Sequence, residues 1–333
     1  MKVMMDIVFN HTSPDSVLVE EHPEWFFKKS NGKMWNQVGD WTDIVDLDYS
    51  NEALWDYQID TITQWAELVD GFRCDVAPLV PVAFWEKARA AVSEIKPDFI
   101  WLAESIERHF LQYLRTENVL AHSDGEMYQA FDMSYDYDVY PAFKEYVLDE
   151  APLSKYIYAL NLQDSNYPDN YIKVKFLENH DQDRIAALIR DIDDLKQWNA
   201  FNYLQKGANL IYNGQEVLAD KVPSLFEKDT IDWEASHDLS TYMSHLANLK
   251  KKFIPTDNVP YSLVAHDELN TVTLSHSTKT NKIIGVFNLK KQTGVVAVDL
   301  PDGEYTNYIT NEKVNIADGQ LSLADTPALL ITE

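Results

Sequence analysis

Between residues 1 and 250, short apolar runs alternate with helix-like segments, and this alternation constrains the fold more than any other feature of the chain. Strands are expected at 2–9, 71–74, 99–103, 127–131, 172–177 and 208–212. Helices are expected at 51–68, 82–95, 194–204 and 239–252; the first of these carries Leu54, Ile59, Ile62, Trp65 and Leu68 on an apolar stripe. Strand–helix repetition at this spacing predicts a parallel sheet covered by helices. Strands that are apolar throughout suit a barrel or a doubly wound sheet, where both faces are buried. After residue 253 the pattern changes to short segments (262–265, 271–275, 282–288, 294–299 and 328–332) separated by turns such as Asp302-Gly303 and Asp318-Gly319. That predicts an antiparallel β domain over 254–333 behind an α/β domain over 1–253. The stretch from 12 to 49 is too long for a simple connection, so it is expected to be a small excursion over one end of the sheet.

Charge narrows the function classes. The 333 residues include 54 Asp plus Glu against 28 Lys plus Arg, a net charge of −26. Such a field repels a phosphate backbone, so no nucleic-acid partner is expected. No apolar run reaches the roughly 18–20 residues of a membrane span, and the N-terminal residues lack the long apolar core of a signal peptide. The one cysteine, Cys74, suits a reducing compartment, and a cytoplasmic protein is expected.

Polar residues gather where the strands finish. The first strand ends Asp6-Ile7-Val8-Phe9-Asn10-His11 and the second Gly71-Phe72-Arg73-Cys74-Asp75. The third ends Trp101-Leu102-Ala103-Glu104 and the fifth Phe176-Leu177-Glu178-Asn179-His180-Asp181. Side chains alternate along a strand, so Arg73 and Asp75 share one face while Phe72 and Cys74 take the other. Taken singly, each group has a structural explanation: a capped turn, an ion pair, a helix-initiating acid. All four fall at strand ends, however, and none at a strand start. In a parallel βα barrel those ends converge on the rim that carries active sites. The usual closely spaced zinc-ligand pairs are absent.

These motifs, in this order, resemble the four signatures of the α-amylase family, glycoside hydrolase family 13, and Gly207–Glu216 resembles its eighth-strand segment. The resemblance implies an incomplete (β/α)8 barrel of about six strands, the third to the eighth, followed by a C-terminal antiparallel β-sandwich. It implies a retaining glycosidase acting on α-glucosidic bonds of malto- or isomalto-oligosaccharides or starch-type glucans. Asp75 would be the nucleophile and Glu104 the general acid/base, with Asp181 binding hydroxyls and stabilising the transition state. Arg73 would orient Asp75. His11 and His180 would contact the sugar at the cleavage point, and Asn10 and Asp6 would complete the substrate-binding set. Arg73 would favour the charged form of Asp75, while Asp75 and Asp181 would push Glu104 toward its protonated form. The same motifs also fit a transglycosylase or a sugar isomerase. A catalytically impaired chain serving in carbohydrate binding or interaction is the alternative of another class.

Two departures bear on these expectations. Pro78-Leu79 stands where many α-amylases have the Lys-His pair that supplies a backbone calcium ligand, so no cofactor is expected and a calcium ion near Asn10 would lack that ligand. The first signature, which the family carries on its third strand, starts at residue 6. An open barrel is therefore expected, with little activity and with edges available for self-association.

Overall fold

A computed structural model of the chain describes residues 1–332 apart from 40, 225, 226, 235, 236 and 257. The chain divides into two compact units, Met1–Asp138 and Val139–Glu333.

In the first unit β1 (Met4–Ile7) leads into a short antiparallel pair, β2 (His11–Thr12) with β3 (Val45–Asp46). Between them lies α1 (Val17–Glu21), and Trp25 and Phe26 form a small core with Val45, Leu47 and Leu54, so the expected excursion is a folded element rather than a loose loop. Then follow α2 (Glu52–Ala66), β4 (Gly71–Cys74), α3 (Val82–Ile95), β5 (Ile100–Ala103), α4 (Arg108–Thr116), α5 (Asp124–Met127) and β6 (Met133–Tyr135). The order β1-β4-β5-β6 is parallel throughout. Asn51 starts α2 by accepting the Ala53 N–H on its side chain at 3.0 Å. Gly71 is required at the start of β4, because a Cβ there would lie 2.7 Å from the Ile100 carbonyl oxygen. One face of the sheet buries Phe72, Cys74, Trp101 and Ala103 against Ile62 and Ala66 of α2 and Phe84, Trp85, Ala88 and Val92 of α3. Strand parity thus assigns Phe72 and Cys74 to the helix side, as expected.

The strand expected at 127–131 is not one. Ser123 and Glu126 form a reciprocal capping box that starts α5, and the chain runs on through a turn to β6 at Met133–Tyr135. An apolar run was outweighed there by a helix-start signal a few residues earlier.

In the second unit the elements are α6 (Tyr140–Val147), α7 (Leu153–Asn166), β7 (Ile172–Lys175), α8 (Ile185–Leu188), α9 (Ile192–Leu204), β8 (Ala208–Asn209) and α10 (Ser240–Phe253). β7 and β8 are parallel. The chain then forms β9 (Tyr261–His266), β10 (Thr271–Ser277), β11 (Lys282–Asn288), β12 (Val295–Ala297), β13 (Gly303–Thr306), β14 (Lys313–Ala317), β15 (Gln320–Ser322) and β16 (Ala328–Ile331). These make two four-stranded sheets, β16-β11-β10-β9 and β12-β15-β14-β13. Ile284, Val286 and Leu330 of one sheet and Val296, Ile316 and Leu321 of the other share a core, which is the expected sandwich.

Candidate active site

Register builds the first half of the site. Asp6 pairs in register with Arg73, and Arg73 with Leu102, across three adjacent parallel strands. The ladder runs one step past each strand: the Asp75 N–H donates to the Ile7 carbonyl at 2.9 Å and the Glu104 N–H to the Cys74 carbonyl at 3.0 Å. Asp75 and Glu104 are therefore held by backbone bonds at the strand ends, two residues beyond Arg73 and Leu102 on the same face. Tyr135, at the end of β6, continues that layer.

Arg73 ties the layer together. Its Nη1 donates to both oxygens of Asp6, at 2.9 and 3.0 Å, and to Asp75 Oδ1 at 2.8 Å; its Nη2 pairs with Glu104 Oε1. The arginine expected to aim the Asp75 carboxylate thus touches three carboxylates. Burial works against the guanidinium charge, but Glu104 and Asp6 more than offset it, and the pKa is raised above the ordinary arginine value. Arg73 and Glu104 are buried, whereas Asp6 is largely exposed. The Tyr135 ring lies 5.8 Å from the guanidinium, and burial raises its phenol pKa against the pull of Arg73. Tyr135 was not foreseen, because its three-residue strand has no apolar run to mark it.

Glu104 has a second partner. Its Oε2 accepts the Val76 N–H at 2.9 Å. Val76 sits at φ 34°, ψ 43°, in the left-handed region that a β-branched residue rarely enters. Strain of this kind, about 1–3 kcal/mol, persists where the surroundings over-determine the backbone. Here it turns the chain immediately after Asp75 so that a main-chain donor faces Glu104.

His11 opens β2. The Asn10 side-chain amide donates to His11 Nδ1 at 3.3 Å, which leaves the ring proton on Nε2. Burial lowers the His11 pKa, against Asp75 and Asp43. Asn10 is buried, and its carbonyl accepts the Leu47 N–H at 3.0 Å, which joins the end of the first signature to the folded excursion.

In the second unit, His180 and Asp181 follow β7. Asn179 Oδ1 accepts the Asp181 N–H at 3.0 Å, a local turn, and His180 Nε2 lies 3.3 Å from Asp181 Oδ2 with both side chains partly exposed. Behind them Glu178 and Arg184 form a buried ion pair at 2.6 Å. Arg184 also donates to the Asn213 carbonyl at 3.0 Å, which links this loop to the one after β8. The pair lay unread inside and beyond the fourth signature, since nothing local marks two residues six apart as partners.

Carboxylates and an arginine gathered at the C-terminal ends of parallel strands place the chain in the α/β class, at the rim where barrel folds carry their sites. The family described as "Alpha amylase, catalytic domain" matches residues 1–258, and "Bacterial Alpha amylase C-terminal domain" matches 262–330. The chain belongs to the α-amylase family. Its fold is that family's parallel barrel, represented by the third to eighth strands, with the antiparallel C-terminal domain. An α-amylase from Lactobacillus plantarum is 42% identical, with a TM-score of 0.95, over 100% of this chain and 78% of its own. A maltogenic α-amylase from Thermotoga neapolitana is 32% identical, with a TM-score of 0.86, over 100% of this chain and 77% of its own. The α-amylase MalA of Haloarcula japonica is 24% identical across 91% of this chain, and an intracellular maltogenic amylase of Bacillus subtilis 25% across 76%. The chain spans less than half the length of these two curated relatives, 46% and 44%. Among the described residues no helix is long and apolar enough to cross a membrane.

Proposed function

We propose that the chain provides the catalytic residues of a retaining glycosidase that cleaves α-glucosidic bonds in malto- or isomalto-oligosaccharides or starch-type glucans. The observation that carries this reading is Arg73 holding Asp75 and Glu104 at neighbouring strand ends. In the first step an Asp75 oxygen attacks the anomeric carbon as the bond to the leaving oxygen breaks, and Glu104 gives that oxygen a proton. For this, Glu104 must release Arg73 and carry a proton. In the second step water attacks the glycosyl-Asp75 ester, Glu104 takes the water proton, and Asp75 leaves as a carboxylate. Asp181 and His180 bind sugar hydroxyls, and the His11 Nε2–H donates to the sugar at the cleavage point. Transfer to a second sugar differs only in the last attack, with a hydroxyl replacing water. That variant is favoured by one relative, an α-1,4-glucan:maltose-1-phosphate maltosyltransferase of Rhodospirillum rubrum, 31% identical over 54% of this chain.

We assign the catalytic part to residues 1–253, ending with α10, and the β domain to 254–333. The name of the Bacillus subtilis relative supports a cytoplasmic location. Self-association is assigned to the edge of β1, where Val3 and Val8 are exposed.

For a calcium ion we propose Asn36 and Asp46 of the first unit as ligands. Asn36 Oδ1 and Asp46 Oδ1 are buried and have no hydrogen-bond partner, and burial pushes the Asp46 carboxyl up to about 6 against the Gln37 N–H. Two unpaired oxygens of this kind suit a hard cation. Bound there, the ion would neutralise Asp46 and fix segment 12–49 beside Asn10.

The test is turnover of maltotriose, isomaltose and starch. Asp75→Asn should abolish hydrolysis, since no ester can form. Glu104→Gln should spare substrates whose leaving group needs no proton. Normal turnover by Asp75→Asn would overturn the assignment.

A further inference from the structure

After Asp75 the chain is held in a shape it does not favour. Val76 keeps its left-handed conformation, residues 77–79 make a single 3-10 turn, and Pro81 then leads into α3. Pro81 offers the helix no side-chain acceptor, and the first turn of α3 has no acid. His122, distant in sequence, supplies what is missing. Its main-chain N–H donates to the Pro78 carbonyl at 2.9 Å, and its ring Nε2 accepts the Val82 N–H at 3.4 Å. One residue thus grips the segment at two points, Pro78 and Val82.

The surroundings of the ring set its tautomer. Glu126 Oε2 accepts the Ser123 N–H and hydroxyl, each at 2.6 Å, and Arg115 Nη2 at 2.7 Å. Glu126 Oε1 lies 3.8 Å from His122 Nδ1. The ring proton therefore belongs on Nδ1, facing Glu126, and Nε2 keeps the lone pair that Val82 needs. Arg115 also donates to the Ala121 carbonyl at 3.0 Å, which holds the backbone beside His122. The charged groups facing the ring are Glu126 of α5 and Arg115 of α4; segment 78–82 and the first turn of α3 carry none. Burial lowers the His122 pKa, with Glu126 opposing and Arg115 adding to the fall.

The other end of the gripped segment meets the site. The Val76 N–H donates to Glu104 Oε2 at 2.9 Å, and the Leu79 N–H returns to the Val76 carbonyl at 2.9 Å. Trp85 Nε1 donates to the Ala77 carbonyl at 3.1 Å, so the path from Val76 to Val82 is braced along its length. Strain at Val76 persists only while its surroundings hold it, and the two bonds from His122 are part of that hold.

We propose that His122 is a positioning residue for Glu104: its neutral ring clamps segment 78–82 and so keeps the Val76 N–H on the Glu104 carboxyl, and its protonation opens the clamp. A protonated ring has no acceptor at Nε2 and sets a positive charge against the positive end of α3, so the grip on Val82 is lost. The link from clamp to turnover rests on the glycosidase reading; the clamp itself does not.

The clamp is read first without turnover. In the full chain with isotope-labelled valine, nuclear magnetic resonance should show the Val76 and Val82 amides shifting together as pH falls. Their shared midpoint should lie below the ordinary histidine value of 6.5. His122→Gln, whose carbonyl still accepts the Val82 N–H, should abolish that titration. A Val76 amide that does not follow Val82, or a titration that survives in His122→Gln, would overturn the proposal. Turnover is read second, as kcat/KM on maltotriose and on maltosyl fluoride, whose leaving group needs no proton. At neutral pH His122→Ala should lose on the order of tenfold on maltotriose, the scale of one hydrogen bond to a charged group. On the fluoride the loss should stay below about twofold, because no proton is asked of Glu104. His122→Gln should recover the maltotriose rate and remove the His122 midpoint from its pH profile. An equal loss on both substrates would reduce His122 to a structural role and overturn the proposal. Shared titration of the two amides in a chain that turns over neither substrate would uphold the clamp and sink the glycosidase reading alone.

Discussion

Replacing Arg184 by Met tests whether the loop carrying His180 and Asp181 is held from behind by charge. Arg184 is 1% exposed and Glu178 0%. Nη1 lies 2.6 Å from Glu178 Oε1, Nη2 donates to the Asn213 carbonyl at 3.0 Å, and the guanidinium lies 4.3 Å from the Tyr212 ring. Glu178 Oε2 also accepts the Ile185 N–H at 2.6 Å, so the carboxylate is fixed even after the arginine is gone. Removing one partner strands a buried charge, which costs about 3–5 kcal/mol, against a native stability of about 5–15 kcal/mol. Burial already raises the Glu178 pKa, with Arg184 opposing. A carboxyl raised in the folded state contributes stability that is present at low pH and lost as pH rises through its folded pKa. Without Arg184 that pKa climbs further, so the variant's deficit should be larger at pH 7.5 than at pH 5. Urea unfolding at the two pH values measures it. Because two partners removed together leave no orphan charge, Glu178→Leu combined with Arg184→Met should recover most of the loss. A deficit below about 1 kcal/mol, or one independent of pH, would refute the reasoning.

Asp46 and Lys250 give further pH signatures. Asp46, 2% exposed and raised to about 6 mainly by burial, should make the chain lose about 3 kcal/mol as pH rises from about 4 to about 6. Asp46→Asn should flatten that slope, and millimolar calcium at pH 7 should raise the melting temperature of the wild type but not of this variant; equal shifts in both would exclude a cation at Asp46. Lys250 donates from Nζ to the Gln205 carbonyl at 2.9 Å, and its pKa is lowered to about 7 by burial and by Lys175. The unfolded chain binds the extra proton between about 7 and 10.5, so stability should climb across that window by up to about 1.4 kcal/mol per pH unit. Lys250→Met should remove the climb, as read from urea midpoints, and an unchanged slope would show that Lys250 is not the group responsible.

Periodicity and strand-end chemistry are local properties, and the sequence by itself determined what depends on them. Apolar runs placed β1, β4, β5, β7 and β8, and alternation put Arg73 and Asp75 on the face opposite Phe72 and Cys74. Where a local signal competes with another, the reading fails, as at 127–131, where the Ser123–Glu126 capping box started α5 and left β6 to Met133–Tyr135. Contacts between residues far apart in the chain were decided by tertiary structure. Arg73 reaches Asp6 across 67 residues because the parallel register sets the two side by side, and nothing in either segment specifies that alignment. The same register brings Glu104 under the Arg73 fork and turns Val76 into the left-handed region so that its N–H meets the carboxylate. Arg184 finds Glu178 because α8 begins at the point where the fourth signature's loop folds back, and water is excluded only once both loops have packed around them. The sequence therefore marked the polar groups at the strand ends, while packing determined which charge each one faces, because an electrostatic partner is set by distance in space and by the water that burial removes.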